Sequence, residues 1–201
     1  IQDITEQKAY EEALRIARAQ ETELRARIQE SLLQGHAPQG IQGAQMAAVS
    51  LPSERMDGDF YDFLPHGPRC FDIVIGDVMG KGTTAALVGA ATKNTFAHTL
   101  VRLLAQKNLG LGGQPGFPEP AEIVQQVHAE FSPRLIALEQ FVTLIYARFD
   151  LDARTLTYVN CGHPRTLLRQ RHTGACRFLE HANLPIGVIE NECYQQISEP
   201  L

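Results

Sequence analysis

The sequence lacks several features that would assign it to a class at once. It has no run of about eighteen apolar residues, so no segment is predicted to span a membrane. Its opening, IQDITEQKAYEEAL, is charged and amphipathic, unlike a signal peptide. Basic residues are not in excess, and a formal net charge of −5 gives no global attraction to nucleic acid. These absences favour a cytoplasmic protein that binds no nucleic acid and has no membrane segment in this chain.

Cysteine is scarce, and its spacing excludes a common metal site. The four cysteines are Cys70, Cys161, Cys176 and Cys193. No CxxC pair occurs among them, so the usual zinc spacing is absent. A chain of 201 residues that is 44% hydrophobic can bury a core without disulfides. We therefore expect free and mostly buried thiols in a reducing cytoplasm.

Residues 3–34 read as one long helix. Apolar side chains occupy heptad a and d positions at Tyr10, Leu14, Ala17, Leu24 and Ile28. Such a stripe predicts that the helix pairs with a second copy as a coiled coil, and packing on the helix's own domain is the alternative. Glycine and proline between residues 35 and 43 then end the helix. The sequence thus predicts a homodimer through an N-terminal unit, residues 1–34.

From residue 44 onward, short strands and two helices follow. Apolar stretches between Gly, Pro and Ser signals predict strands, and i, i+4 apolar spacing predicts helices. The predicted strands are 44–51, 60–64, 70–77, 141–150, 155–161, 165–169 and 176–180, and the helices are 83–106 and 121–138. Because strict β–α–β alternation is absent, we predict an α+β fold with helices laid on antiparallel sheet, and not a doubly wound sheet.

The stretch FDIVIGDVMGKG ends an apolar strand on a lone carboxylate, Asp77. It is not a phosphate-binding P-loop, because only three residues separate Gly76 from Gly80 and Gly82 replaces the hydroxyl that would hold magnesium. A nucleotide-binding function therefore has weak support. Two interpretations of Asp77 remain open on this stretch alone. It is an oxygen ligand for a hard cation, or it only caps the following turn and helix.

A second group of carboxylates favours the cation. The stretch ERMDGDFYDF contains Asp57, Asp59 and Asp62 just before the predicted hairpin that leads to Asp77. An antiparallel hairpin would bring Asp59 and Asp77 to the same end of the sheet. Two carboxylates that meet there repel each other unless a cation or a proton lies between them. Magnesium and manganese prefer such oxygen ligands.

Five motifs then occur in an order that resembles one known family. They are DGDFYDF, IVIGDVMGKGTTAAL, FVTLIYARFD, LTYVNCGHPRTLL and LPIGV, between about residues 44 and 188. This order resembles the SpoIIE/RsbU-like branch of the PPM phosphatases, which are bacterial metal-dependent serine/threonine protein phosphatases. The resemblance implies an αββα sandwich, two antiparallel sheets with helices outside. The opening DITEQK resembles the exit of a PAS sensor domain, which would make the helix after it a signalling linker.

The resemblance also implies a chemistry and a set of site residues. Two divalent cations, Mn²⁺ or Mg²⁺, share an aspartate and a hydroxide that attacks the phosphoryl phosphorus directly. By the motif match, Asp77 is the bridging ligand, the Val78 carbonyl is a backbone ligand, and Asp59 binds metal or metal-bound water. The implied substrate is a phosphoserine on an anti-sigma-factor-antagonist type of partner. The alternative is a non-catalytic signalling or dimerisation module with the same fold and an incomplete metal site.

One departure from the family pattern concerns the metal ligands. After Val188 the family has a strand that ends in Thr-Asp-Gly and later an Asp-Asp pair, whereas the last aspartate here is Asp152. With no initiator Met either, we expect a piece of a longer protein whose phosphatase domain, residues 44–201, lacks its closing strands. Such a chain would hold one cation or none and would be weakly active or inactive. A smaller departure is Asp57, where the family often has glycine.

The remaining candidates favour ordinary roles. Asp62 and Asp72 alternate with aromatic residues and are predicted to face solvent. His163, in CGHP, resembles a catalytic base, but its tight turn favours a structural hydrogen bond. Lys81 is either an electrostatic contact for substrate phosphate or a solvated loop lysine.

Overall fold

The computed structural model of the chain describes residues 4–51, 57–109, 116–180 and 183–201. Three helices and seven strands occur in these ranges. In chain order they are α1 (Ile4–Leu33), β1 (Phe60–Pro65), β2 (Cys70–Val78), α2 (Thr83–Asn108), α3 (Pro120–Ala137), β3 (Val142–Asp150), β4 (Thr155–Cys161), β5 (Leu167–Arg169), β6 (Cys176–Phe178) and β7 (Ile197–Pro200).

The strands form two antiparallel sheets. The larger one has five strands in the order β1-β2-β3-β4-β7, and the smaller one is the β5-β6 ribbon. Each strand from β1 to β4 pairs with the next one along the chain, as expected from the short turns between them. The predicted α+β class with helices on antiparallel sheet is confirmed.

One predicted strand is wrong and one observed strand was not predicted. Residues 44–51 form a mostly apolar stretch of the sequence, yet they lie outside any strand. Within this segment, Val49 and Leu51 are 82% and 86% exposed. An extended chain becomes a strand only when a partner edge accepts its hydrogen bonds, and no described strand pairs with this segment. The unpredicted strand is β7, which pairs with β4.

The main core lies between the five-stranded sheet and the two helices α2 and α3. Side chains of a strand alternate between faces, so Leu144 and Tyr146 of β3 point to the same side. There they pack with Phe96 of α2 and Ile123 of α3 in one buried cluster. The Tyr146 and Phe96 rings stack with their centroids 5.2 Å apart. This packing fixes the helices on one face of the sheet.

The opposite face carries the ribbon. Ile145 and Ala147 of β3 pack there with Leu179, and the Leu168 side chain of β5 lies against them. On the outer side of the ribbon, Phe178 is 57% exposed, so no helical layer covers it in the described part of the chain. The described residues therefore form three layers, which are the helices, the five-stranded sheet and the ribbon. The αββα sandwich implied by the family resemblance would have four.

The solvent-facing prediction for Asp72 and Asp62 is wrong. Asp72 has no exposed surface. It shares the helix-facing side of β2 with Val74, and Arg148 of β3 donates two hydrogen bonds of 2.7 Å to its carboxylate. Asp62 is half-buried, and its carboxylate lies 3.8 Å from the Lys93 ammonium of α2. A buried cationic partner compensates the cost of burying each carboxylate.

Helix α1 extends away from this core. Among the α1 side chains that the structure describes, the buried one is Leu33 in the last turn, which packs against Phe60 and Gly89. Tyr10, Leu14 and Leu24 of the predicted dimer stripe are between 40% and 71% exposed. The Ile28 side chain and residues 1–3 lie outside the described part, so the coiled coil and the PAS exit stay predictions.

The sequence also led to predictions about the state of the cysteines and about the absence of membrane spans. All four cysteines are free, as predicted, but only Cys161 is buried and both Cys176 and Cys193 are exposed. The prediction of mostly buried thiols is therefore wrong. Within the described ranges, no helix combines the length and apolar character needed to cross a bilayer.

Candidate functional site

The β1–β2 hairpin brings Asp59 and Asp77 together. Phe60 of β1 pairs with Gly76 of β2, so the residue before Phe60 lies beside the residue after Gly76. The two carboxyl groups are close enough to share a hydrogen bond. Both residues are exposed at the same end of the sheet. The predicted meeting of the two carboxylates is therefore present.

Glycines allow the chain segments around this pair to approach closely. A Cβ at Gly58 would lie 2.8 Å from the Val78 Cβ and 2.9 Å from the Val78 carbonyl oxygen. On its other side, the Gly58 carbonyl would lie 3.0 Å from a Cβ at Gly89 of α2. The backbone of Gly58, between Asp57 and Asp59, is thus held between the end of β2 and helix α2.

The turn after β2 is built on glycine backbone. Gly80 and Gly82 have φ values of 96° and 89°, in the left-handed region that residues other than glycine rarely adopt. This turn leads directly into α2 and carries Lys81 between the two glycines. The positive charge of Lys81 lowers the pKa of Asp77, which indicates that the ammonium lies near the carboxylate pair.

The pair is electrostatically strained in the absence of a cation. Partial burial, the charge of Asp59, a hydrogen bond to Asp59 and the charge of Asp57 together raise the pKa of Asp77 to about 6, with burial the largest cause. Below about pH 6 the pair therefore holds a proton readily, and a divalent cation would relieve the same repulsion. The oxygen-only donor set suits magnesium or manganese.

The donor set is small. In the described ranges, no three side chains of His, Cys, Asp or Glu converge as a metal site. Asp59, Asp77 and the Val78 carbonyl would suit one hydrated magnesium ion, which keeps several of its waters. The residues therefore fit a single weakly held cation.

A cleft of about 500 Å³ opens beside the pair. Asp59 and Asp77 line it together with His163, Pro164, Ile75 and Tyr61. The His163 ring hydrogen-bonds to Thr143, as the predicted structural role requires, but the ring also lies at the candidate site. Sequence reasoning missed Thr143. Its only signal is the register of β3, in which Thr143 pairs with Asp77.

Gly58→Ala tests the close packing of this site. The added methyl group has no room against Val78, so we expect the Asp57–Asp59 segment to move away from β2 and the free energy of unfolding to fall by about 1–3 kcal/mol. Urea denaturation and Mn²⁺ calorimetry measure both effects. Gly67→Ala is the matched control, since a Cβ there meets nothing within 4 Å. Equal behaviour of the two variants would contradict the packing argument.

Comparison with known proteins agrees with this geometry. A family model described as Stage II sporulation protein E (SpoIIE) matches residues 67–201. Phosphoserine phosphatase RsbU of Bacillus subtilis (strain 168) is 26% identical over 181 residues, which cover 90% of this chain and 49% of RsbU. Phosphoserine phosphatase RsbP of the same organism is 27% identical over 146 residues, covering 73% of this chain and 33% of RsbP. The chain thus spans about half the length of the first relative and a third of the second.

A solved structure shows the same fold. It contains the PP2C phosphatase domain and a fragment of the regulatory domain of the cell fate determinant SpoIIE from Bacillus subtilis. The TM-score is 0.57 at 21% identity, over 73% of this chain and 38% of that chain. At this identity the similarity concerns the fold, whereas the family match spans more than half of the sequence. The chain therefore belongs to the SpoIIE family and has the PP2C phosphatase fold.

Proposed function

We propose that the chain is the phosphatase domain of a signalling protein and hydrolyses phosphoserine or phosphothreonine in a protein substrate with Mn²⁺ or Mg²⁺. The main support for this proposal is the Asp59–Asp77 pair, which lines an open cleft of a SpoIIE-family fold. The names of the relatives RsbU and RsbP, both phosphoserine phosphatases, support the reaction class.

In this proposal, Asp77, Asp59 and the Val78 carbonyl hold the cation. When bound, a divalent cation polarises the phosphoryl oxygens and lowers the pKa of water. The chain's own residues supply position and charge. The hairpin register fixes the carboxylates at the floor of the cleft, and Lys81 lies near enough to attract a phosphate dianion. Water attacks phosphorus, and the serine oxygen leaves without a covalent enzyme intermediate.

The test is hydrolysis of a phosphoserine peptide by the purified chain, with Mn²⁺, with Mg²⁺ and with excess chelator. We expect phosphate release that requires the cation and stops on chelation, because two carboxylates without a cation would repel the phosphate dianion. Release that continues at the same rate in chelator would contradict the proposal.

A non-catalytic module is the second candidate. It is favoured by the small donor set, because two-metal phosphatase chemistry needs more carboxylates than the pair that converges in the described ranges. In that case Mn²⁺ would bind, as calorimetry measures, and the phosphoserine peptide would not be hydrolysed. The same samples therefore separate the two candidates.

The substrate and cellular setting belong to the same proposal. We infer that the substrate is a phosphorylated regulatory protein of the anti-sigma-factor-antagonist type and that the reaction takes place in the cytoplasm. The support is the family resemblance and the relatives named above. Adding a phosphorylated antagonist protein to the peptide assay as a second substrate tests this inference directly.

We propose that the chain dimerises through α1, because the apolar stripe of this helix is exposed. Changing Leu14 and Leu24 to glutamate should place charges in the seam, and we expect the dimer to dissociate to monomers in light scattering. Ile16→Glu is the matched control, because Ile16 is 46% exposed but lies off the stripe. A dimer that survives the double change, or dissociates equally with Ile16→Glu, would contradict this interface.

A further inference from the structure

His163 lies in a turn that does not depend on its ring. Its backbone N–H donates to the Asn160 side-chain oxygen at 2.8 Å, and the Asn160 amide donates to the His163 carbonyl at 3.2 Å. Asn160 is 2% exposed, so this pair of bonds is protected from water. The turn is therefore fixed by the backbone of His163 and the side chain of Asn160, which leaves the imidazole available for another role.

The ring is oriented by Thr143. The His163 Nδ1 atom lies 3.1 Å from the Thr143 hydroxyl, and that hydroxyl donates a long hydrogen bond of 3.5 Å to the Asp77 carbonyl. A hydroxyl has one proton to donate, so Thr143 accepts from His163 through an Nδ1–H group. In a neutral ring of this tautomer, the Nε2 atom carries the lone pair.

The burial of the ring favours a neutral histidine that can accept a proton. Burial lowers the pKa of His163, while the negative charge of Asp59 and a hydrogen bond to the Thr143 backbone oppose that effect without cancelling it. In the described part of the chain, the titratable groups around the carboxylate pair at this end of the sheet include Asp57, Asp77 and Lys81. Burial thus favours the uncharged ring, and Asp59 would stabilise the imidazolium formed by protonation.

We propose that His163 is a general base that takes a proton, at Nε2, from the water that attacks the phosphoryl phosphorus. This inference rests on the proposed phosphatase function. The water O–H bond breaks and its proton passes to Nε2, while the water oxygen bonds to phosphorus. The P–O bond to serine breaks, the serine oxygen takes a proton from solvent, and the imidazolium returns its proton to solvent. Thr143 is the positioning residue, since it acts only through the ring.

The kinetic test uses His163→Gln and Thr143→Val in the phosphoserine peptide assay at saturating Mn²⁺, between pH 5 and 8. General bases contribute about 10²–10⁴-fold, so we expect His163→Gln to lower kcat/KM by about 100-fold at neutral pH. The loss should shrink as the pH falls through the pKa of the ring, because the wild-type imidazole is then protonated and cannot act as a base. Thr143→Val should give a smaller loss with the same pH trend. His98→Gln, an exposed histidine of α2, is the matched control and should change nothing.

A second measurement does not need the reaction. Nitrogen NMR of the metal-free chain should show His163 neutral at pH 7 with its proton on Nδ1, and Thr143→Val should remove this preference. A proton on Nε2, or a loss in His163→Gln that is equal at every pH, would overturn the inference. If the wild-type chain releases no phosphate at any pH, the proposed function fails, whereas the tautomer still decides the orientation on which the inference depends.

Discussion

Replacing Asp72 by asparagine is expected to lower the free energy of unfolding by about 3–5 kcal/mol, measured by urea denaturation. Asp72 is fully buried, and Arg148 donates to both of its carboxylate oxygens. The Tyr146 hydroxyl donates to the same carboxylate, and His66 Nε2 lies 2.8 Å from it. Asparagine would leave the Arg148 guanidinium buried without a counter-charge, which costs far more than the lost hydrogen bonds alone.

A double variant separates the missing charge from the altered shape. Asp72→Leu together with Arg148→Met replaces the ion pair by apolar side chains, and we expect it to recover most of the lost stability. Glu199→Gln is the control, because it breaks an ion pair with Arg177 that is exposed to solvent. A loss in Asp72→Asn as small as that in Glu199→Gln would contradict the role given to the buried pair.

The same pair makes a prediction about pH. Burial opposes ionisation of Asp72, but the hydrogen bonds from Arg148 and His66 outweigh it and hold the pKa below its ordinary value. A carboxyl with a lowered pKa stabilises the fold above its ordinary pKa, and this contribution is lost as the pH falls through the folded-state value. The gap in stability between wild type and Asp72→Asn should therefore close in acid.

Much of the sheet and half of the site could be predicted because their signals are local. Alternation and turn residues mark β1 and β2, and the short connection between them requires an antiparallel hairpin. That requirement places Asp59 beside Asp77 without any knowledge of the rest of the chain. The helices α2 and α3 have apolar spacings that the sequence shows directly.

The features that were missed depend on distant partners. The burial of Asp72 requires Arg148, which is 76 residues further along the chain and joins it only through the β2–β3 register. Thr143 reaches the site through the same register. Residues 44–51 have the apolar character of a strand but no paired strand in the described ranges, and β7 is only four residues long. Local pattern cannot supply partners of this kind.

Asp77→Asn is expected to lower Mn²⁺-dependent hydrolysis of a phosphoserine peptide by more than the ~10–100-fold that is typical for residues which only support metal ligands. Asparagine keeps the shape of the side chain but removes the negative charge, and Asp59 alone is then left to hold the cation. We expect Mn²⁺ binding, measured by calorimetry, to be abolished in this variant and to be weakened less in Asp59→Asn. Asp152→Asn, in the exposed turn after β3, is the matched control.

The pH dependence of Mn²⁺ binding distinguishes a lost ligand from general damage. Because the pKa of Asp77 is raised to about 6, a proton competes with the cation below that pH. Wild-type affinity for Mn²⁺ should therefore fall as the pH drops from 7 to 5, and Asp152→Asn should follow the same curve. Any residual binding in Asp77→Asn should lack the part of this dependence that belongs to Asp77. Unchanged affinity in Asp77→Asn, at neutral pH and in a folded protein, would contradict the assignment of Asp77 as the principal metal ligand.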